Sequence, residues 1–246
     1  MRFRDRVAAL PKVGPDLVKA GVSAQRLIDR TPIRRLRERR FAGSAEYWER
    51  RYARGQTSGV GSRGEIAEYK ATYLNAFVQE HDVESVIEFG CGDGYQLGLA
   101  EYPRYIGVDV SPTVLRSCVE AFGDDPTKSF FGYSTGGFSD RLGLLRSDLA
   151  MSLDVVFHLV EDDVYDQYMR DLFAAATRYV IVFSPDGSLP GGLESAPHVR
   201  GREFTRWVSQ HAPQWRLAHV EPSPFDTEGE LRTAAQFHVF ELNDAG

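Results

Sequence analysis

Three glycines at alternate positions follow a short apolar run, and this feature constrains the chain more than any other. The run Val86–Phe89 predicts a buried strand because it is short, largely apolar and followed by glycine. Gly90, Gly92 and Gly94 predict a tight turn in which a ligand lies against bare backbone, since no Cβ stands in the way. Asp109 ends a second short strand. In open α/β sheets, a glycine turn and a carboxylate placed in this way bind a nucleoside, with the carboxylate on its ribose hydroxyls.

The spacing of the glycines separates two kinds of cofactor. Dinucleotide sites use G-x-G-x-x-G, in which the pyrophosphate lies at a helix N-terminus. Here the pattern is E-x-G-x-G-x-G, with Glu88 before the first glycine and Asp93 within the turn. Two carboxylates would repel a pyrophosphate but would suit a ligand with a cationic amino-acid end. The pattern resembles the first motif of class I methyltransferases that use S-adenosyl-L-methionine (SAM).

This resemblance implies a set of cofactor contacts. Glu88 would face the amino-acid end of SAM, and Asp109 would hold its ribose. The other positions expected to contact the cofactor are Gly90, Cys91, Gly92, Gly94, Val110, Ser134 and Asp154.

From residue 85 onward the sequence alternates between strand and helix signals. Such alternation predicts a parallel sheet with right-handed crossovers. Two final strands close together in sequence resemble the end of the class I methyltransferase sheet. The predicted fold is therefore α/β and doubly wound: a mostly parallel seven-stranded sheet with an antiparallel last strand, plus a helical N-terminal cap. The predicted strands are 85–89, 104–109, 129–133, 148–153, 178–183, 215–221 and 234–242, and the predicted helices are 65–80, 94–101, 112–122, 137–145, 161–176 and 201–211.

The chain is expected to divide into a helical cap and possible lid, residues 1–64, and a methyltransferase domain, residues 65–246. Prolines break the first 43 residues, and Thr31-Pro32 predicts the start of a helix that runs to Arg40. Ser44 is predicted to cap a short aromatic helix over residues 45–52. The glycine- and serine-rich segment 55–64 is either a flexible linker or a lid that orders over a ligand.

Charge is unevenly placed along the 246 residues, whose formal net charge is −6. Residues 1–40 hold 12 Lys and Arg against 4 Asp and Glu, whereas the remainder holds 17 against 31. An acidic body argues against a nucleic-acid substrate, since phosphate binding needs a basic surface. The basic arm is either a solvated or packed helix, or a contact for an anionic surface.

The composition also argues against a membrane-spanning or secreted chain. We expect no stable membrane insertion, because no run approaches the ~20 apolar residues needed to span a bilayer. No apolar core follows the charged start, so no signal peptide is expected. Cys91 and Cys118 are expected to be buried thiols, and a reducing cytoplasm is the expected location.

The end of the fourth predicted strand carries the candidate catalytic residues. The stretch from Ser152 to Asp162 resembles the fourth motif of many bacterial class I methyltransferases, which faces the transferring methyl group. By that resemblance Asp154 lines the methionine end of the cofactor and His158 lies near the acceptor. An imidazole with a pKa near ~6.5 suits removal of a hydroxyl proton as the oxygen attacks. The alternative is a histidine at a helix start, satisfied by a neighbouring carboxylate.

A metal site is a second possibility at this edge of the sheet. Asp154 and Asp186 follow adjacent strands, and Glu161 or Asp162 would complete a set of oxygen ligands for Mg²⁺. Metal-dependent O-methyltransferases use a similar arrangement. Asp186 followed by glycine is also an ordinary turn pair.

Two further groups are candidate acceptor contacts. His198, Arg200 and Arg202 follow a Pro/Gly-rich loop and would bind hydroxyls or an acid group; a salt-bridged helix start is the alternative. Tyr47 and Tyr52 would cover the cofactor or stack on a ring, unless they are core contacts of the cap helix.

The sequence thus predicts a SAM-dependent O-methyltransferase acting on a small molecule, with a saccharide the first choice of acceptor. N-methylation of a small molecule and a non-catalytic SAM-binding protein remain alternatives. Mg²⁺ is a possible second cofactor, and a homodimer is a possible assembly.

Overall fold

The computed structural model describes residues 41–189, 196–225 and 233–243. Within them the chain forms five α-helices and seven β-strands. The helices are α1 (Ser44–Ala53), α2 (Gly64–Glu80), α3 (Pro112–Phe122), α4 (Asp162–Ala174) and α5 (Phe204–His211). The strands are β1 (Val86–Phe89), β2 (Tyr105–Asp109), β3 (Lys128–Gly132), β4 (Ser147–Leu153), β5 (Ala176–Ser184), β6 (Trp215–Glu221) and β7 (Gln236–Leu242). Short 3₁₀ turns occupy Val60–Ser62, Leu97–Leu99 and Val156–His158.

The seven strands form one sheet in the order β3-β2-β1-β4-β5-β7-β6. Strand β7 runs antiparallel to both of its neighbours, β5 and β6, while the other neighbouring pairs are parallel. The prediction of a mostly parallel seven-stranded α/β sheet with an antiparallel last strand is therefore confirmed.

The strand order reverses at β1, and this reversal determines where a ligand can bind. Strand β1 pairs with β2 on one side, where Phe89 is opposite Val108, and with β4 on the other, where Glu88 is opposite Met151. Connections leave such a point in opposite directions, so a crevice opens at the carboxyl ends of the strands. The predicted glycine turn follows β1 at this place.

Apolar layers cover both faces of the sheet. Leu74 of α2 and Phe122 of α3 belong to one buried cluster, and Met169 of α4 and Phe204 of α5 belong to the other. Cys91 and Cys118 are free thiols and both are buried, as predicted. Burial of this much apolar surface on two faces is what holds the crevice in place.

Two helix predictions are wrong. The segment 94–101 contains only the 3₁₀ turn Leu97–Leu99, since Gly94 and Gly98 disfavour a longer helix. The segment 137–145 forms turns, because Leu142 and Leu144 stay exposed and so provide no apolar face to bury.

Ser44 is also not the N-cap of the first described helix. Gly43 occupies the N-cap position, and Ser44 is the first helical residue. The Ser44 hydroxyl instead donates to the carbonyl of His158 and lies 2.6 Å from Glu161 Oε2. The prediction of a helix from Thr31 to Arg40 lies outside the described residues. Across the described residues, no helix is both long and apolar enough to cross a membrane.

Candidate active site

The glycine turn after β1 is crowded where side chains would otherwise project. Gly90 and Gly92 have positive φ values of 83° and 56°, which other residues rarely adopt. A Cβ on Gly90 would lie 2.5 Å from Val155 Cγ2, and one on Gly92 would lie 2.5 Å from Ser58 Oγ. The turn therefore requires glycine both for its backbone conformation and for the close approach of neighbouring segments.

Two buried carboxylates flank this turn. Asp109 Oδ2 accepts a hydrogen bond from the Gly92 amide at 3.0 Å, and Oδ1 accepts from the Ser111 amide at 2.9 Å. Burial raises the pKa of Asp109 to about 6. Glu88 Oε2 accepts from the Tyr105 hydroxyl at 2.6 Å, and burial raises the pKa of Glu88 to about 7. Because burial disfavours the ionised form of both carboxyl groups, a ligand with a positive charge or hydroxyl donors would stabilise that ionised form.

The segment 55–64 lies against the glycine turn. The Ser58 amide donates to Asp93 Oδ2 at 3.0 Å, and the Asp93 amide donates to Ser58 Oγ at 3.0 Å. Arg63 forms an ion pair with Asp93 at 2.6 Å, and the Tyr52 hydroxyl lies 3.0 Å from Ser58 Oγ. These contacts place segment 55–64 beside the glycine turn, where a lid over a bound cofactor would lie. That the segment moves as a lid stays a prediction.

Helix α1 joins the two ends of the crevice. At its start Ser44 bonds to Glu161, and the Ser44 amide donates to Glu161 Oε1 at 2.8 Å. Five residues further on, Glu49 accepts hydrogen bonds from the hydroxyls of Ser111 at 2.5 Å and Thr113 at 2.6 Å. A single helix thus contacts both the loop after β2 and the turn after β4.

His158 is held in one tautomer. Its Nδ1 lies 2.9 Å from the carbonyl oxygen of His198, which can only accept, so Nδ1 carries the proton and Nε2 carries the lone pair. Burial is the main reason that the pKa of His158 falls to about 4, and the nearby Arg51 charge lowers it further. The His158 and Trp48 rings form a T-shaped contact with 4.9 Å between their centroids. Near pH 7 this histidine is neutral and has one nitrogen able to accept a proton.

Asp154 has an unusual backbone and a buried partner. Its φ is +58°, a conformation that Asp adopts more readily than most residues. Its Oδ2 lies 2.8 Å from Nζ of Lys70, which is fully buried on α2. Lys70 is not among the residues predicted from the sequence. The available signal was helical periodicity, because Ile66 and Leu74 lie four residues on either side of Lys70 and are both apolar.

The four candidate metal ligands do not converge. Asp154 pairs with Lys70, and Glu161 pairs with Ser44. Asp162 lies 2.9 Å from Arg200 and 2.5 Å from Arg202, and Asp186 binds the hydroxyl and amide of Thr205. The described ranges contain no group of three His, Cys, Asp or Glu side chains that could hold a metal ion. Each carboxylate is already satisfied by a different partner, so the geometry gives no support to the predicted Mg²⁺ site.

A cavity of about 390 Å³ opens where these elements meet. A volume of this size is sufficient for a small ligand. All the predicted cofactor contacts line it apart from Gly94. The lining residues that bear on ligand binding are Glu46, Trp48, Tyr52, Lys70, Glu88, Gly90, Cys91, Gly92, Gln96, Asp109, Val110, Ser134, Asp154, His158 and Glu161.

The predicted acceptor contacts separate into two groups. Tyr52 lines the cavity, whereas Tyr47, His198, Arg200 and Arg202 lie outside its lining. Tyr47 stacks on His198 with 4.2 Å between ring centroids, behind the wall that His158 forms. Arg200 and Arg202 instead bond to the turn that precedes α4 and contribute no side chain to the cavity lining.

Arg202 shows most clearly why a predicted acceptor contact lies outside the cavity lining. Its buried guanidinium donates to the carbonyls of Leu159, Val160 and Glu161 at 2.5–3.1 Å, and it pairs with Asp162. These contacts satisfy the donors of the side chain within the protein, so its structural role is to fix the turn that carries His158.

No protein-family model matches this sequence, and a search of curated proteins gives no match, but many solved structures share its fold. The methyltransferase domain of bacterial CtHen1-C is 22% identical, with a TM-score of 0.57 over 72% of this chain and 98% of that one. N-methyltransferase NodS from Bradyrhizobium japonicum WM9, in complex with S-adenosyl-L-homocysteine, is 14% identical, with a TM-score of 0.61 over 82% and 100%. A SAM-dependent methyltransferase from Clostridium acetobutylicum ATCC 824 is 10% identical, with a TM-score of 0.55 over 75% and 95%. At these identities the likeness establishes the fold, which is that of class I SAM-dependent methyltransferases.

Proposed function

We propose that this protein is a SAM-dependent methyltransferase that transfers a methyl group to a hydroxyl of a small molecule, with a saccharide as the preferred acceptor. One observation carries the proposal. A single cavity brings together the glycine turn and Asp109 on one side and a neutral His158 on the other. This arrangement provides a nucleoside site and a proton acceptor within the same enclosed space.

The residues present fit SAM. The backbone of Gly90 and Gly92 permits close approach, and Asp109 offers a buried carboxylate for ribose hydroxyls. Val110 and Ser134 line the same part of the wall. When bound, SAM supplies a methyl group on a sulfonium centre, which is electrophilic.

His158 would act on the acceptor. Its Nε2 lone pair would accept the hydroxyl proton as the acceptor oxygen attacks the methyl carbon. The His198 carbonyl fixes the ring orientation and, because it binds the Nδ1 proton, would also stabilise the imidazolium that forms.

The remaining wall suits an uncharged polyol. Trp48 offers an apolar ring beside His158, and the carboxylate of Glu46, which also pairs with Arg50, offers an acceptor for a hydroxyl group. Among the described residues that line the cavity, Lys70 is the one Lys or Arg side chain. So acidic a wall would repel phosphates, which supports a small molecule over a nucleic acid as acceptor.

One observation favours methylation of a small-molecule amine as the second candidate. Burial lowers the pKa of His158 to about 4, which makes it a weak base. An amine that enters in its uncharged form attacks without prior removal of a proton, and the acidic wall would stabilise the cationic product. The amine acceptor therefore needs less from His158 than a hydroxyl does.

The proposal is tested first by cofactor binding and then by turnover. SAM should raise the melting temperature of the protein, whereas NADH should not, because a ligand that binds only the folded state stabilises it. Labelled SAM should then be incubated with panels of sugars, amino sugars and small amines, with Mg²⁺ and with chelator. Transfer to a neutral sugar supports the first candidate, and transfer to amines alone supports the second. Binding of SAM without turnover on any panel would favour a non-catalytic SAM-binding protein.

A further inference from the structure

Lys70 is a buried cation whose hydrogen bonds are incomplete. Its side chain is 1% exposed, and its ammonium group has three N–H donors. Among the described residues, Asp154 is the one hydrogen-bond partner that it has. The Phe183 ring lies 5.3 Å away and adds a weaker contact. Burying donors without partners is costly, so the two remaining donors indicate that an acceptor is missing from this part of the cavity.

Gln96 has an unmatched hydrogen-bond acceptor, where Lys70 has unmatched donors. Its Nε2 donates to the carbonyl of Ala67 at 3.0 Å, while its buried Oε1 has no partner within the described part of the chain. Ala67 lies three residues before Lys70, so both are on the same buried face of α2. Gln96 and Lys70 both line the cavity. One wall therefore holds an unused acceptor and two unused donors.

We propose that Lys70 and Gln96 form a subsite for the α-amino-acid end of the cofactor. Lys70 would bind the carboxylate, and Gln96 Oε1 would accept a hydrogen bond from the ammonium group. This inference rests on the proposed function, because it takes SAM as the ligand. It adds two residues and a second kind of contact to the carboxylates that the glycine motif indicates.

The charges of the wall agree with a zwitterionic ligand. Glu88, Asp154 and Lys70 lie together on the cavity wall, and Lys70 pairs with only one of the two acids. A ligand ammonium would offset the remaining negative charge, and a ligand carboxylate would satisfy the donors of Lys70. A nucleoside without an amino-acid end would leave two donors of Lys70 and the Oε1 acceptor of Gln96 unmatched among the described residues.

The wild-type protein allows a direct test by ligand comparison. S-adenosyl-L-homocysteine carries the amino-acid end, its decarboxylated analogue lacks only the carboxylate, and 5′-methylthioadenosine lacks the whole end. Calorimetry should show at least ~10-fold weaker binding without the carboxylate and a further loss when the ammonium is also removed. Equal affinity for all three ligands would overturn the proposal.

Variants then assign the contacts to residues. Lys70→Met should weaken binding of S-adenosyl-L-homocysteine at least ~10-fold and leave binding of 5′-methylthioadenosine within about twofold. Gln96→Met should weaken binding of the decarboxylated analogue, which keeps the ammonium group, in the same selective way. Lys128→Met is the matched control, because Lys128 is also largely buried but donates to the Tyr102 carbonyl away from the cavity. It should bind all three ligands as the wild type does.

The outcomes separate this inference from the proposed function. If the wild type binds none of the three ligands, the proposed function itself fails. If it binds all three but Lys70→Met weakens them equally, Lys70 supports the fold and the subsite assignment is wrong. Should Lys70→Met not fold, Lys70→Gln keeps a hydrogen-bond donor but loses the charge, and weaker binding of the carboxylate-bearing ligand alone would support the assignment; unchanged selectivity would contradict it.

Discussion

The two sides of the cavity are built in different ways. The core of the cofactor side, from Glu88 to Ser111, consists of residues close in sequence, and Asp109 within it accepts hydrogen bonds from backbone amides. The acceptor side joins distant segments, because Ser44 bonds to Glu161 and His158 bonds to His198. A contiguous motif can therefore identify the first side, whereas only the folded chain assembles the second. Under the proposed function, the first side would bind the cofactor, and the second would accept the proton and select the acceptor.

His158→Ala should show the largest difference between an effect on turnover and an effect on cofactor affinity. Turnover should fall by ~10²–10⁴-fold, since a positioned general base contributes that much. Affinity for S-adenosyl-L-homocysteine, measured by calorimetry, should stay within about twofold of the wild type. His219→Ala is the matched control, because that histidine is exposed and pairs with Glu221. Unchanged turnover with a hydroxyl acceptor would remove His158 from the mechanism.

The pH profile examines the same residue without a substitution. Because the pKa of His158 is about 4, the base is already in its active form at neutral pH. Turnover should be flat above about pH 5 and should fall toward pH 4, in a range where circular dichroism shows the protein folded. A rate that rises through pH 6–7 would assign the controlling proton to another group.

On the cofactor side, Glu88→Gln should change how stability depends on pH. Burial raises the pKa of Glu88 from 4.5 to about 7, so the folded protein retains a proton that the unfolded chain loses. The free energy of unfolding therefore falls as pH rises between these values. The variant cannot titrate at this position, so its stability relative to the wild type should increase by about 3 kcal/mol between pH 4.5 and 8.

Urea unfolding at several pH values measures this difference. The exposed Glu80→Gln serves as the control and should follow the wild-type curve. Parallel curves for Glu88→Gln and the wild type would show that Glu88 titrates normally.

A smaller effect is expected for Asp109→Asn. The substitution removes the charged acceptor that would face the ribose hydroxyls, and hydrogen bonds to charged groups contribute about 1.5–3 kcal/mol. Affinity for S-adenosyl-L-homocysteine should fall by roughly 10–100-fold in calorimetry. Asp125→Asn, at a partly exposed carboxylate that bonds locally to Thr127, controls for the change of charge. Wild-type affinity in Asp109→Asn would take this residue out of the cofactor site.

The smallest effect concerns the helix that joins the two sides. Ser44→Ala removes the hydroxyl bonds to Glu161 and the His158 carbonyl and should lower the free energy of unfolding by about 1–2 kcal/mol. Hydrogen exchange should quicken in α1 and in segment 55–64, while the strands stay unchanged. Ser209→Ala, on an exposed surface of α5, is the control. Uniform exchange in variant and wild type would show that this link does not hold α1 in place.

Ligand binding tests the lid prediction for the same segment. If residues 55–64 cover the cofactor, their exchange should slow when S-adenosyl-L-homocysteine and an acceptor bind. Equal rates in the free and bound protein would identify the segment as a linker.

The fold was largely predictable because its signals are local. Alternating strands and helices gave the sheet and its antiparallel last strand, and the spacing after Phe89 gave the glycine turn. The errors arose where local signals misled. Residues 137–145 contain leucines that suggest a buried face, but Leu142 and Leu144 are exposed in the structure. Gly94 and Gly98 broke the helix expected over 94–101.

The acceptor side was less predictable because its partners are far apart in sequence. Serine is a common N-cap residue, yet the Ser44 hydroxyl bonds to residues 114 and 117 positions away. Arg202 matched a ligand-binding arginine in type, but burial and local carbonyls give it another role. Sequence patterns identify residue chemistry, whereas contacts across such distances depend on packing that no short motif encodes.

The clamp formed by Arg202 has a consequence for how sequences of this fold can vary. Only a planar guanidinium can direct several N–H groups at three successive carbonyls, so lysine is a poor substitute despite its charge. An exchange at this position would let the turn before α4 drift and would displace His158, which Arg202 does not touch. In an assay of turnover, such a substitution would lower the rate as a substitution of His158 itself would. At this position, tolerance to substitution therefore depends on the donor geometry of a side chain that lies outside the cavity lining.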